Sequence, residues 1–353
     1  MQNDGNFIKG RGAQLNTKNP FAKNSYVEEH LEAIDELMTE NSPTEYIEEF
    51  PKKVVNKVRS PDLGFSQSLN PYQGCEHGCV YCYARNSHQY WGYSAGLDFE
   101  RKIIVKRNAP AILEKHFKDV KWQAKTIMLS GNTDCYQPIE KKLELTRQIL
   151  QKCLEYKQAV SIITKNKLIL RDLDVLKELN KLDLIHVSIS ITSLNEDLRR
   201  KLEPRTASSK ARLQVVETLS GFGIPVNVML APIIPGLNSD EIPEILKETA
   251  EAGASSAAYT MVRLNGSIAE IFSDWIHQAY PNRAEKVLNH IRSCHCGNLN
   301  DSRFGPRMRG DGKIADAIAQ LFKISKRKYY GNRKMRPLNN ALFSAPGKQM
   351  SLF

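Results

Sequence analysis

The stretch 69–88, LNPYQGCEHGCVYCYARNSH, decides the fold. It sets Cys75, Cys79 and Cys82 at C-x3-C-x2-C spacing, three of the seven cysteines of the chain within eight residues. The others are Cys135, Cys153, Cys294 and Cys296. An odd number of cysteines, behind an opening MQNDGNFIKGRG that lacks the apolar core of a signal peptide, points to metal or redox chemistry rather than a disulfide framework. Thiolates bind soft metals and iron–sulfur clusters. A four-iron cube held by three cysteines keeps one iron without a protein ligand, and a reacting cluster needs that open corner. Gly74 and Gly78 allow the backbone to wrap closely. The rival is zinc: with His77 between the first two cysteines a Cys₃His site can be drawn, although structural zinc usually pairs two distant ligand couples.

Outward from this loop, short apolar runs alternate with amphipathic stretches. The runs are TIMLSG (126–131), AVSIIT (159–164), LIHVSISI (184–191), IPVNVMLA (224–231) and SSAAYTMV (255–262), with an earlier strand near GFSQSLN (64–70) making six. KKLELTRQILQKCLEY and LILRDLDVLKELNK, between the first three runs, carry helical spacing. Strand starts 25–40 residues apart suit βα units on a parallel sheet, either barrel-like or doubly wound, and periodicity does not choose between them. Residues 1–60 read as an extension with an acidic helix at SYVEEHLEAIDELM, 61–265 as the core, 266–340 as basic and mostly helical, and 341–353 as a flexible tail. The opening reads as poorly ordered or draped on the surface.

The 353 residues are 41% hydrophobic and 25% charged, an ordinary globular balance that excludes wholesale disorder. No apolar run approaches the roughly 18 residues of a membrane span, so the expectation is a soluble cytoplasmic protein without a membrane partner. The net charge is +11. Between Arg303 and Lys348 stand twelve lysines and arginines against two acidic residues, Asp311 and Asp316. A solvated basic surface explains this, and so does a polyanionic partner, most simply nucleic acid.

The cysteine pattern, with the aromatic Tyr81 just before its last cysteine, resembles the cluster loop of radical S-adenosylmethionine (SAM) enzymes. The wider text SPDLGFSQSLNPYQGCEHGCVYCYAR is similar to the photoproduct-lyase-like branch, and GRGAQLN and FGPRMRG look typical of one uncharacterised subgroup. The resemblance implies an α/β fold, a partial (β/α)6 TIM-like barrel with an N-terminal extension and a basic helical C-terminal region. It also implies a [4Fe–4S] cluster on Cys75, Cys79 and Cys82, its fourth iron chelating SAM. One-electron reduction then cleaves SAM to a 5′-deoxyadenosyl radical that takes a hydrogen from substrate. A small reductase such as flavodoxin or ferredoxin is the expected electron donor.

Carried over position by position, the resemblance places Gly131, Asn132 and Asp134 of SGNTD at the SAM amino group. Asp134 reads equally well as a turn cap. It places Ser190 at the ribose, Arg205 at the carboxylate, Gly236 and Tyr81 near the adenine. The blander alternatives are a surface arginine, a turn glycine and a core tyrosine. In a photoproduct lyase a thiol returns hydrogen to the product radical. Here Gly131 stands in the corresponding place, so Cys135, Tyr136, Cys294 and Cys296 are the conceivable donors, and buried structural residues are the alternative.

The implied substrate is DNA, in lesion repair (a lyase-like reversal) or base modification. Phe304, Phe322, Tyr329 and Tyr330 are interleaved with the basic C-terminal residues as stacking candidates or as core. The last residues, QMSLF, resemble the peptide by which bacterial proteins dock on the DNA sliding clamp, with Gln349, Leu352 and Phe353 as contacts. The alternatives are a radical SAM enzyme acting on RNA or protein, and a non-enzymatic nucleic-acid-binding protein with a structural metal site.

Overall fold

In the computed structural model, which describes residues 8–21 and 43–344, the described chain carries ten strands. They are β1 (Glu45–Glu49), β2 (Val55–Lys57), β3 (Gln67–Leu69), β4 (Tyr72–Gln73), β5 (Lys102–Lys106), β6 (Ile127–Leu129), β7 (Val160–Thr164), β8 (Ile185–Ser190), β9 (Val226–Ile233) and β10 (Ser256–Met261). The larger sheet has the order β10-β9-β8-β7-β6-β3-β2. The six strands expected from the apolar runs are β3 and β6 to β10, and all their pairings are parallel; β2 adds antiparallel to β3. A doubly wound sheet reverses its order at a switch point. Here the order runs monotonically from β3 to β10, and no pairing joins β10 back to β3 among the described residues. The sheet is a partial, open barrel.

The alternation along each strand separates wall from interior. On β8, Ile185, Val187 and Ile189 are buried in the main apolar core, while Ser188 and Ser190 project to the opposite face. On β9, Val226, Val228 and Leu230 do the same, opposite Asn227 and Met229. Helices α1 (Ala109–Lys118), α2 (Leu145–Glu155), α3 (Leu173–Lys181), α4 (Ser209–Gly221) and α5 (Ile242–Glu251) cover the outer face. In α2 the buried residues are Leu145, Thr146, Ile149, Leu150 and Cys153, one stripe at helical spacing. The Ser208 side chain caps α4 by accepting from the Ala211 N–H.

A second sheet of order β1-β5-β4 stands beside the first. Two of its strands carry no signal, β4 having two residues and EYIEE in β1 being mostly acidic, while KIIVK in β5 has an apolar, β-branched centre. Residues 8–17 are not draped over the surface: Ile8, Arg11, Ala13 and Thr17 are buried. The acidic helix expected around Val27–Met38 lies outside the described residues, as do Gln349, Leu352 and Phe353.

The C-terminal region contains α6 (Ile268–Ala279), α7 (Ala284–Ser293) and α8 (Lys313–Tyr330). Phe322 of α8 packs on Tyr259 at 4.7 Å between ring centroids, and the Tyr330 hydroxyl meets Thr249 Oγ1 at 2.8 Å. Both aromatics are core, Tyr329 packs partly buried against it, and Phe304 is exposed. Phe343 closes over Phe117 and Tyr156, so the chain up to Ser344 is anchored to the barrel. No described helix is long and apolar enough to cross a membrane.

Candidate functional site

The cysteine loop follows β4 and is gripped from behind. Its glycines take left-handed backbone angles, Gly74 at φ +81° and Gly78 at φ +67°. They are required less by what lies in front than by what lies at their backs. A methyl on Gly74 would come within 2.8 Å of the Lys102 carbonyl oxygen, and one on Gly78 within 2.7 Å of Glu100 Oε2. Glu100 is fully buried and is the hub. It pairs with Arg85 (2.5 Å) and accepts from the Gly12 and Ala13 N–H groups (3.0 and 2.8 Å). Arg85 in turn donates to the Cys79 carbonyl (2.9 Å), and Cys75 N–H donates to Phe99 O (2.8 Å). The N-terminal GRGA is therefore part of the wall that holds the loop.

In front of the loop is a cavity of about 500 Å³ at the C-terminal ends of the parallel strands. Cys75, Cys79 and Cys82 all line it, and none is in a disulfide. Burial pushes the Cys75 and Cys79 thiols up, so ionising them in place is costly unless a bound cation compensates. Among the described residues no three His, Cys, Asp or Glu side chains gather closely enough for a single metal ion. Three cysteines lining one cavity are the ligands that a cube requires, since its irons are ligated separately. The Cys₃His zinc alternative fails on His77. Its Nδ1 lies 3.3 Å from Asp134 Oδ2 and its Nε2 3.3 Å from Asn166 Nδ2, so both ring nitrogens are engaged.

The cavity collects some of the expected SAM residues and not others. Tyr81, Gly131, Asn132, Asp134 and Ser190 line it. Tyr81 is buried, its hydroxyl donating to Glu203 and lying 3.3 Å from Thr192 Oγ1. Asn132 is fixed by Gln73 and Ser87 (3.0 and 2.9 Å), and its N–H donates to Asn70 (2.9 Å). Asp134 is committed inward: it accepts from Tyr136 N–H, Thr164 Oγ1 and Lys165 N–H at 2.8–2.9 Å, besides facing His77. Burial opposes its charge, but His77 and these donors win and hold its carboxyl down at about 2. Its geometry is that of the turn cap.

Arg205 and Gly236 do not line the cavity. Arg205 is partly exposed and turns to Glu76, 3.8 Å away. Gly236 (φ +76°) makes a turn whose N–H donates to Ser239 Oγ, and a methyl there would meet the His290 ring at 2.7 Å. From that segment the cavity receives Ala231 and Pro232 instead. None of the four expected hydrogen donors reaches the cavity either. Cys135 and Tyr136 are fully buried in the core, where the Tyr136 hydroxyl donates to Asp172 (3.0 Å) and burial pushes both groups up. Cys294 is core, and Cys296 sits at the surface beside Arg303. Cys294 and Cys296 form no metal site with His295, whose Nε2 is bonded to the Val262 carbonyl at 2.7 Å.

Three residues that sequence reasoning missed do face the cavity. Lys165 follows β7 directly, makes no ion pair among the described residues, and sits with Nζ 6.0 Å from the Tyr81 ring centre. Tyr83, one residue past the last cysteine, donates its hydroxyl to the Gly131 carbonyl. Arg263 lies two residues beyond β10. The signal available was position: in barrels of parallel strands, residues just past the strand ends form the active site.

Comparison with known proteins agrees with this geometry. A family model described as the radical SAM superfamily matches residues 69–249. An uncharacterised protein of Mycobacterium tuberculosis (strain ATCC 25618 / H37Rv) is 32% identical over 65% of this chain and 68% of its own. One of Methanocaldococcus jannaschii is 32% identical over 70% of this chain and 89% of its own. Among solved structures, a spore photoproduct lyase variant with bound AdoMet and dinucleoside spore photoproduct is similar, with TM-score 0.59, 15% identity, and coverage of 81% of this chain and 80% of that one. With the cysteine loop, the open parallel barrel and the matching family model in agreement, the chain belongs to the radical SAM superfamily, enzymes that work with a [4Fe–4S] cluster and S-adenosylmethionine.

Proposed function

We propose that this radical SAM enzyme acts on DNA, in lesion reversal or base modification. The cluster and SAM together supply reductive cleavage to methionine and a 5′-deoxyadenosyl radical that takes a hydrogen atom from substrate. The chain's own residues hold and orient these partners. Cys75, Cys79 and Cys82 are the cluster ligands, and the Glu100–Arg85 pair keeps their loop in place. Lys165 offers its ammonium to the SAM carboxylate, and the hydroxyl of Ser190, buried and free of hydrogen-bond partners among the described residues, faces the ribose. Ala231 and Pro232 give an apolar wall for adenine. Tyr83 is the hydroxyl placed to return hydrogen to a substrate radical. The tyrosyl radical so formed regains one electron and one proton with the help of the small reductase, a flavodoxin or ferredoxin.

The observations that carry the DNA reading are the apolar cavity and the basic surface of the C-terminal region. Arg303, Arg309, Lys313, Lys323, Arg327 and Lys328 are exposed along the C-terminal region. Leu63, Phe65, Met128, Met229, Met261 and Met308 line the cavity itself. Such a surface attracts a phosphate backbone, while such a cavity takes a base turned out of the stack. The similar spore photoproduct lyase carries a dinucleoside lesion, which supports the same substrate class. Delivery by the sliding clamp through Gln349, Leu352 and Phe353 belongs to this proposal.

The test is anaerobic reconstitution followed by reduction with dithionite in the presence of SAM. DNA carrying defined lesions, undamaged DNA, RNA and protein extracts are added in separate reactions. The expected result is 5′-deoxyadenosine formation stimulated by DNA, with deuterium passing from labelled DNA into that product. Stimulation by RNA or protein and none by any DNA overturns the reading.

A further inference from the structure

The open side of the barrel, between β10 and the chain leading into β3, is bridged by the segment Arg303–Arg309. Asp62 ties it down: its carboxylate accepts from the Gly305 N–H (2.7 Å) and from Arg307 Nε, while Arg307 Nη2 reaches Ser60 Oγ at 2.7 Å. Arg307 and Met308 thereby become part of the cavity lining, together with Arg263 on the β10 side.

Asp62 is in direct contact with Arg307 and acts on Arg263 only by longer-range attraction. Among the described residues the Arg263 guanidinium makes no hydrogen bond and no ion pair; its carbon lies 5.8 Å from the centre of the Tyr83 ring. It is half-buried, and burial together with the positive charge of Arg307 lowers its pKa from the ordinary arginine value. A desolvated guanidinium held next to a second one is unfavourable in the free enzyme, and an anion placed between them relieves it. The five N–H donors of Arg263 are all available for it.

We propose that Arg263, with Arg307 beside it, is a subsite for one phosphodiester of the substrate, adjoining the base-sized cavity. This rests on the nucleic-acid reading given above and specifies where the backbone enters. Two further observations favour a nucleotide over another anion. Phe304 is 58% exposed, and Arg307 lies 4.3 Å over one face of its ring, leaving the rest of an exposed aromatic next to a cavity-lining residue for a neighbouring base. The walls beyond Arg263, formed by Met261, Met229 and Phe65, are apolar, as a turned-out base requires.

The experiment uses the reconstituted enzyme with SAM bound and no reductant. Binding of thymidylyl-(3′,5′)-thymidine is compared with that of its methylphosphonate analogue, which has the same bases and no charge on the linkage. The wild type should prefer the charged dinucleotide by about tenfold, the scale of one charge-assisted pair. Arg263→Gln should erase that preference while still binding the analogue, and Arg263→Lys should restore part of it. Retention of the cluster absorption shows that each variant is folded. An undiminished preference in Arg263→Gln, or no preference in the wild type, overturns the subsite. The two readings fail separately: loss of the preference in Arg263→Gln supports the subsite whether or not DNA stimulates cofactor cleavage.

Discussion

The backbone of Gly12 rests against the carbonyl of Gly78, so closely that a methyl group on Gly12 would collide with that oxygen. An N-terminal residue thus touches the turn between the first two cluster cysteines. Gly12→Ala forces the strap off the loop, and less iron should be retained after reconstitution, by at least half. Gly221→Ala is the contrast: nothing lies within 4 Å of a methyl there, and alanine suits a helix better than glycine. Iron content by colorimetric assay separates the two.

Glu100→Gln leaves Arg85 buried without its counter-ion, both side chains being 0% exposed in the native pair. Removing one member of such a pair costs about 3–5 kcal/mol. Urea denaturation should show a loss of that size, and a loss under about 1 kcal/mol would contradict the role assigned to the pair.

Glu203 receives the Tyr81 and Thr192 hydroxyls and pairs with Arg212. Burial raises its pKa, but Arg212 and Lys165 bring it down to about 2, below its ordinary value. A depressed carboxyl contributes stability that is present above about pH 4.5 and is lost as pH falls toward 2. The gap in urea midpoint between wild type and Glu203→Gln should therefore be wide at pH 7 and narrower at pH 3. An unchanged gap contradicts the assignment.

The placement of the other thiols predicts what they do not do. Cys135→Ala and Cys296→Ser should leave coupled turnover within about twofold of wild type, since neither side chain reaches the cavity. Tyr83→Phe should lower coupled product at least tenfold while 5′-deoxyadenosine still forms. Product analysis by mass spectrometry decides between them.

Six strands of the main sheet were legible as short apolar runs, most clearly β7, β8 and β9, where Val, Ile and Leu recur, and Ser188 and Ser190 stood out on the opposite face of β8 by alternation. The sheet of β1, β4 and β5 was not legible. Its pairing is long-range, Glu45 lying opposite Lys102, and no local pattern encodes it. Arg205 and Gly236 stand outside the cavity lining, because residue type fixes chemistry and not direction. An arginine after Glu203-Pro204 has the right charge, but its side chain turns to Glu76. Arg263 carries no sequence signal beyond its charge. Its significance appears only when Asp62, far away in sequence, is seen to contact Arg307 directly and to leave Arg263 without a contacting carboxylate among the described residues.

The claim on which the rest depends is that Cys75, Cys79 and Cys82 hold a cluster able to cleave SAM. Anaerobically reconstituted protein should show the absorption and, when reduced, the electron paramagnetic resonance of a [4Fe–4S] cluster. That signal should change when SAM is added, and dithionite should then yield 5′-deoxyadenosine. Cys79→Ala should abolish both the cluster and the product. Protein that holds no cluster after iron and sulfide are supplied, or whose cluster leaves SAM intact under reduction, contradicts the account.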